Sequence, residues 1–118
     1  MQPRTPTLTS SHPEQIVFKP SDHARALTSR DAGSRVRESL FALIEQTPAN
    51  VKIRIVIEHE DLITPSFVDE FFGRVVSKMG FDAFRARFVI DAGAEENRVF
   101  INNVVRNRLL LDHGRAAG

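Results

Sequence analysis

Thr64, Ser66, Asp69 and Glu70 are the side chains best placed to do chemistry, in the run Ile63-Thr64-Pro65-Ser66-Phe67-Val68-Asp69-Glu70-Phe71-Phe72-Gly73-Arg74. Thr64 is a good N-cap, and Pro65 suits the first helical position because its missing N–H would be unpaired there. Asp69 and Glu70 complement the positive end of the helix dipole. A hydroxyl beside free backbone N–H groups can receive a phosphate, an anion or a partner's donor. Three readings follow: Ser66 or Thr64 is a phosphoacceptor, the segment is a contact surface for a partner or ligand, or the hydroxyls are caps and the carboxylates dipole partners. A phosphate on Ser66 gains helix N–H groups but meets Asp69 and Glu70 one turn on, with Lys52 and Arg74 as candidates to offset that repulsion.

A second polar opening, Ser29, Arg30, Asp31, Arg35 and Arg37, offers anion binding through Ser29, Arg30 and Arg35, or a cap followed by a solvated face. Gly33 and Ser34 in the same stretch allow close approach of a neighbouring element. Glu58-His59-Glu60-Asp61 is the dense polar cluster containing histidine, but consecutive loop residues seldom converge on one metal, so a solvated loop is expected. His12, His23 and His113 are isolated in sequence. No third member of a nucleophilic constellation stands near Ser66 and no phosphate-cradling glycine loop occurs, so neither an enzyme, a cofactor nor a metal is expected. Were the protein an enzyme, Asp69 or Glu70 would be its acid or base.

These residues need elements to hold them. Residues 1–14 are polar and rich in Pro, Thr and Ser, and read as a disordered tail. Residues 15–19 are β-prone and closed by Pro20, and Ala26-Leu27-Thr28 reads as a second short strand. Ser29 or Thr28 then caps a helix carrying Val36, Leu40, Leu43 and Ile44 and ending near Pro48. Residues 51–57 alternate and then turn wholly apolar, the pattern of a strand entering a covered part of a sheet. The helix from Pro65 places Phe67, Val68, Phe71, Phe72, Val75, Val76 and Met79 on a broad arc, with Phe72 and Val76 at a margin that packs on a neighbouring helix or faces a partner. Gly80 ends it. A strand is expected within Phe84 to Ile90, and a last helix from Ala94 to about Arg108 with Phe100, Ile101, Val104 and Val105 inward. Alternating strands and helices predict an α/β domain over residues 15–111 with a mainly parallel sheet, and a C-terminal tail over 112–118.

The chain has 118 residues, enough for one core. Sixteen Lys and Arg against fifteen Asp and Glu give no net field that would draw it to nucleic acid or an anionic membrane. The C-terminal half is locally basic, but Trp and Tyr are absent, and its arginines fit a helix C-terminus. The lack of cysteine suits a reducing compartment, and with no apolar run of membrane-spanning length a cytoplasmic protein is expected.

Leu27-Thr28-Ser29-Arg30-Asp31-Ala32-Gly33-Ser34-Arg35, then an apolar strand, then Ile63 to Glu70, then Phe88-Val89-Ile90-Asp91 before a helix ending in Arg106 or Arg108, resembles the bacterial STAS-like family of unknown function over about Ile16 to Leu111. The resemblance implies the STAS fold, a small mixed sheet with helices packed on one side, shared by anti-sigma factor antagonists and the cytoplasmic domains of sulfate transporters. In the antagonists a serine at a helix start is phosphorylated, and phosphorylation controls partner binding; the matching hydroxyls lie at Thr64 to Ser66. The sequence departs from the antagonists' aspartate-serine-serine or aspartate-serine-threonine pattern, with Pro65 at the position that matches their phosphoacceptor. The implied function is a protein-interaction module in bacterial signalling, its surface built from Thr64, Ser66, Asp69, Glu70 and Phe72, with a histidine-kinase-like ATPase as partner. A homo-oligomer is compatible with the sequence, and the alternative is a small-ligand or nucleotide sensor using Ser29, Arg30 and Ser66.

Overall fold

The computed structural model describes residues 15–117, with side chains described through Leu111. The tail read over residues 1–14 therefore lies outside the described residues. Three strands, β1 (Gln15–Phe18), β2 (Lys52–Val56) and β3 (Phe88–Asp91), pair in that order, and every pairing is parallel. The expected α/β class with a mainly parallel sheet is the class observed.

Side chains alternate across β2, so Ile53 and Ile55 are fully buried while Lys52, Arg54 and Val56 are only partly covered. Alternation thus persists to Val56, where the sequence suggested a wholly apolar end. Val17, the residue paired with Arg54, is 55% exposed, so helices cover one face of the sheet and leave the other partly open. Ile57 continues inward, its N–H donating to the Asp91 carbonyl at 2.8 Å.

Helix α1 (Arg30–Glu45) connects β1 to β2, and Ser29 caps it by accepting from the Ala32 N–H at 3.0 Å. Val36 and Leu40 are fully buried, whereas Leu43 and Ile44 are only partly so. Leu27 forms a parallel bridge to Ile63 rather than a strand of its own. That bridge sets the start of α1 beside the start of the next helix, because the caps Ser29 and Thr64 follow it closely.

Helix α2, residues 65–79, is α-helical over Pro65–Val68, makes a π-helical turn over Asp69–Gly73 and is α-helical again over Arg74–Met79. In the π turn the Arg74 N–H donates to the Asp69 carbonyl five residues back. Gly80, at φ 89°, ends α2 and opens a short helix α3 (Phe81–Arg87). The strand expected within 84–90 is therefore confined to β3, and Phe84 is a buried helical residue whose ring lies 5.2 Å from Phe88. Helix α4 spans Glu95–Ala117, past the end expected near Arg108 and into the stretch 112–118 read as a tail.

The core joins the inner sheet face to α1, α2 and α4. Phe67, Val68, Phe71 and Phe72 are fully buried and Val75 and Val76 nearly so, which means the broad arc of α2 is internal as far as Val76, with Met79 partly buried. Phe71 sits 4.6 Å from Phe72 edge-to-face and 6.3 Å from Phe18. Arg87 fastens the turn before β2, its guanidinium donating to the carbonyls of Val51 at 2.8 Å and Pro48 at 3.2 Å.

Candidate functional site

The start of α2 divides its two hydroxyls between different tasks. Thr64 Oγ1 accepts from the Phe67 N–H at 3.4 Å, so it is the cap that the sequence suggested. Ser66, in the first turn, is partly exposed, and its hydroxyl takes part in no hydrogen bond among the described residues. Leu62, just before the cap, is 73% exposed, and Pro65 is exposed beside it. The loop from β2 to α2 therefore presents an apolar residue and an uncommitted hydroxyl together, past the carboxyl end of a parallel strand, where α/β folds commonly place their contacts.

Asp69 and Glu70 do something different from a contact surface. Arg30 Nη1 lies 3.0 Å from Asp69 Oδ2 and 3.3 Å from Glu70 Oε1, Arg37 Nη1 lies 3.0 Å from Glu70 Oε2, and Arg108 Nη2 lies 3.0 Å from Asp69 Oδ2. Arg37 also donates to the Glu70 carbonyl within the π turn. Arg74 stands farther off, 3.8 Å from Glu70. The two carboxylates thus fasten α1 and α4 onto α2, and they are largely buried, with side-chain exposures of 26% for Asp69 and 14% for Glu70.

Two glycines make this clasp possible. A Cβ on Gly33 would stand 2.8 Å from Glu70 Cβ and 3.1 Å from the Phe67 carbonyl oxygen, so only hydrogen fits where α1 meets α2. The close approach inferred from Gly33 in the sequence is therefore present. A Cβ on Gly73 would lie 2.9 Å from Asp69 Oδ1 and 3.5 Å from Arg108 Nε, in the path by which Arg108 reaches its carboxylate.

Burial pushes the Asp69 carboxyl up, but the hydrogen bonds and charges of Arg30 and Arg108 together outweigh it and hold the group below its ordinary range. Glu70 follows the same balance: burial raises it, while Arg37, Arg74 and Arg30 bring it below the usual value. Hydrogen bonds to Asp69 and then Glu70 raise the Arg30 guanidinium in turn. Both carboxyls are thus held ionised, the opposite of what a general acid at neutral pH requires.

Several sequence expectations change here. Phe72, assigned to a partner surface, is fully buried and belongs to the core. Ser29, Arg30 and Arg35 do not form an anion site together: Ser29 is a cap, Arg30 is committed to Asp69 and Glu70, and Arg35 pairs with Asp31 at 2.9 Å on the exposed face of α1. Lys52 is not a partner of Asp69 or Glu70, and Arg74 is the most distant of the four arginines around them. Four guanidinium groups face two carboxylates, so the repulsion expected between a phosphate on Ser66 and these acids is offset locally.

The sequence reading did not identify Arg37 and Arg108 as partners of the acids. A signal was present, because Arg37 stands one heptad after Arg30 on the face carrying Gly33, and Arg108 follows Ile101 and Val105 along the buried stripe of α4. An arginine on an apolar stripe implies an internal carboxylate.

The Glu58–Asp61 loop is a turn, with Asp61 Oδ2 accepting from the Glu58 N–H at 2.9 Å, and among the described residues no cluster of three metal-ligating side chains occurs. His23 stacks on Phe18 with ring centroids 4.6 Å apart. No helix among the described residues is long and apolar enough to cross a membrane. Comparison of the chain with protein-family models, with curated proteins and with solved structures gives no match in any of the three.

Proposed function

We propose that this chain is a STAS-like, non-enzymatic protein-interaction module of bacterial cytoplasmic signalling, contacting its partner through the loop and first turn that carry Leu62, Thr64 and Ser66. The observation that carries the reading is the uncommitted, partly exposed hydroxyl of Ser66 beside the highly exposed Leu62. A contact patch needs an apolar anchor and a polar group free to pair outward, and this segment offers both on a rigid support. The support is the arginine clasp, which holds the helix bearing Ser66 against α1 and α4. Asp69 and Glu70 are positioning residues in this account rather than contacts.

Phosphorylation of Ser66 is the switch this arrangement favours. A phosphate there would meet the first-turn N–H groups of α2 and a neighbourhood in which guanidinium groups outnumber carboxylates, and it would add two negative charges to the contact patch. By the resemblance, the partner is a histidine-kinase-like ATPase. The test is affinity capture from a lysate of the source organism, comparing wild type with Leu62→Asp and Ser66→Glu, with the intact mass of the bait read in the same experiment. A stoichiometric ATPase partner retained by wild type and lost with both variants supports the proposal. Equal capture by all three chains contradicts it.

A further inference from the structure

We infer that the groove between α1 and α2, lined by Arg37, Phe41, Arg74, Ser77 and Lys78, is a binding site for the dianionic phosphate group of a small molecule. It is an open cleft of about 390 Å³, ample for a phosphate with a small substituent. Three of its five lining residues are cationic, and they come from two helices that the clasp fixes relative to one another. The carboxylate paired with two of these cations, Glu70, is already shared among Arg30, Arg37 and Arg74.

The cations differ in commitment. Arg37 is 21% exposed and tied to Glu70, so it supplies a fixed positive wall. Arg74 is 53% exposed and reaches Glu70 only at 3.8 Å, which leaves most of its donors directed to solvent. Lys78 has no carboxylate partner among the described residues; its ammonium lies 5.0 Å from the centre of the Phe41 ring. A doubly charged phosphate would replace water on Arg74 and Lys78 with charge-assisted hydrogen bonds, competing only with the 3.8 Å contact of Arg74 to Glu70. Phe41, a partly buried lining residue, offers an apolar surface to whatever the phosphate is attached to. The inference does not depend on the partner surface at Ser66, since none of its residues lies in that loop.

The test uses the full-length ¹⁵N-labelled chain, titrated with inorganic phosphate and separately with adenosine monophosphate, each against sodium chloride at matched ionic strength. Arg37 is left intact because it belongs to the clasp, and the variant is the double substitution Arg74→Gln with Lys78→Gln. The expected result is saturable shifts centred on residues 37, 41, 74, 77 and 78, with affinity reduced about tenfold or more in the double variant, whose remaining spectrum is unchanged. Tighter binding of the nucleotide than of phosphate assigns a contribution to Phe41, and equal affinity assigns the site to the phosphate alone. Shifts no larger than those from chloride, or saturable shifts that persist in the double variant, would overturn the inference.

Discussion

Asp69→Ala probes the clasp where it holds its most buried arginine, Arg108. The substitution leaves the Arg108 guanidinium without the carboxylate it contacts at 3.0 and 3.2 Å, in a side chain only 11% exposed whose Nε has no hydrogen-bond partner among the described residues. Removing one partner of a buried ion pair costs about 3–5 kcal/mol because the remaining charge is stranded. Asp69 keeps about a quarter of its exposure and its second partner, Arg30, is 56% exposed, so solvent recovers part of that penalty and the expected loss is about 2–3 kcal/mol. If stranding is the cause, removing the charge itself should relieve it. In an Arg108→Met background the same Asp69→Ala change should cost only about 1 kcal/mol, a coupling of about 1–2 kcal/mol between the two sites. Urea unfolding of the four chains, with slopes checked for equality, gives these numbers directly. Additive losses, or a loss below about 0.5 kcal/mol for Asp69→Ala, would refute the reasoning, since surface substitutions fall within that range.

Gly33→Ala should destabilise by about 1–2 kcal/mol in the same assay, because overpacking against the Phe67 carbonyl and the Glu70 side chain exceeds the gain in helix propensity; a stabilised variant would mean that α1 can shift without cost. Phe72→Ala should cost about 3–5 kcal/mol as a core truncation, while Leu62→Ser should leave stability within about 0.5 kcal/mol, and similar effects at the two sites would contradict the burial assigned to them. Acid sensitivity follows from the depressed carboxyls. Asp69 and Glu70 titrate lower folded than unfolded, so their stabilisation is complete above the ordinary carboxylate range near pH 4 and is lost as pH falls through the folded values. The variant Asp69→Asn with Glu70→Gln should therefore be less stable than wild type at pH 6 and show a shallower further decline below pH 4. Parallel stability curves for the two chains would show that these acids do not govern the acid limb.

Features set by neighbouring residues were legible in the sequence. The caps at Ser29 and Thr64 and the helix stop at Gly80 each depend on chemistry within a few positions of the chain. The arginine partners were not legible, because Arg37, Arg30 and Arg108 reach carboxylates 33 to 40 residues away and charge type alone does not choose among them. Phe72 was misplaced for a different reason. A uniform advance of about 100° per residue puts it at the margin of α2, whereas the π turn over Asp69–Gly73 changes that advance and α1 and α4 both close on the helix there. The split of residues 81–90 into α3 and β3 was hidden by the β propensity of its phenylalanines, which tertiary packing of Phe84 overrides.

The central claim, that the start of α2 is the surface through which this module is read and switched, is tested most directly by measuring the intact mass of the native protein purified from its own cell, with site localisation by fragmentation, alongside capture of its partner. The account predicts a fraction carrying one added phosphate on Ser66, with the ATPase partner bound to the other fraction alone. A chain wholly unmodified at Ser66 that binds its partner equally well after Leu62→Asp would contradict it.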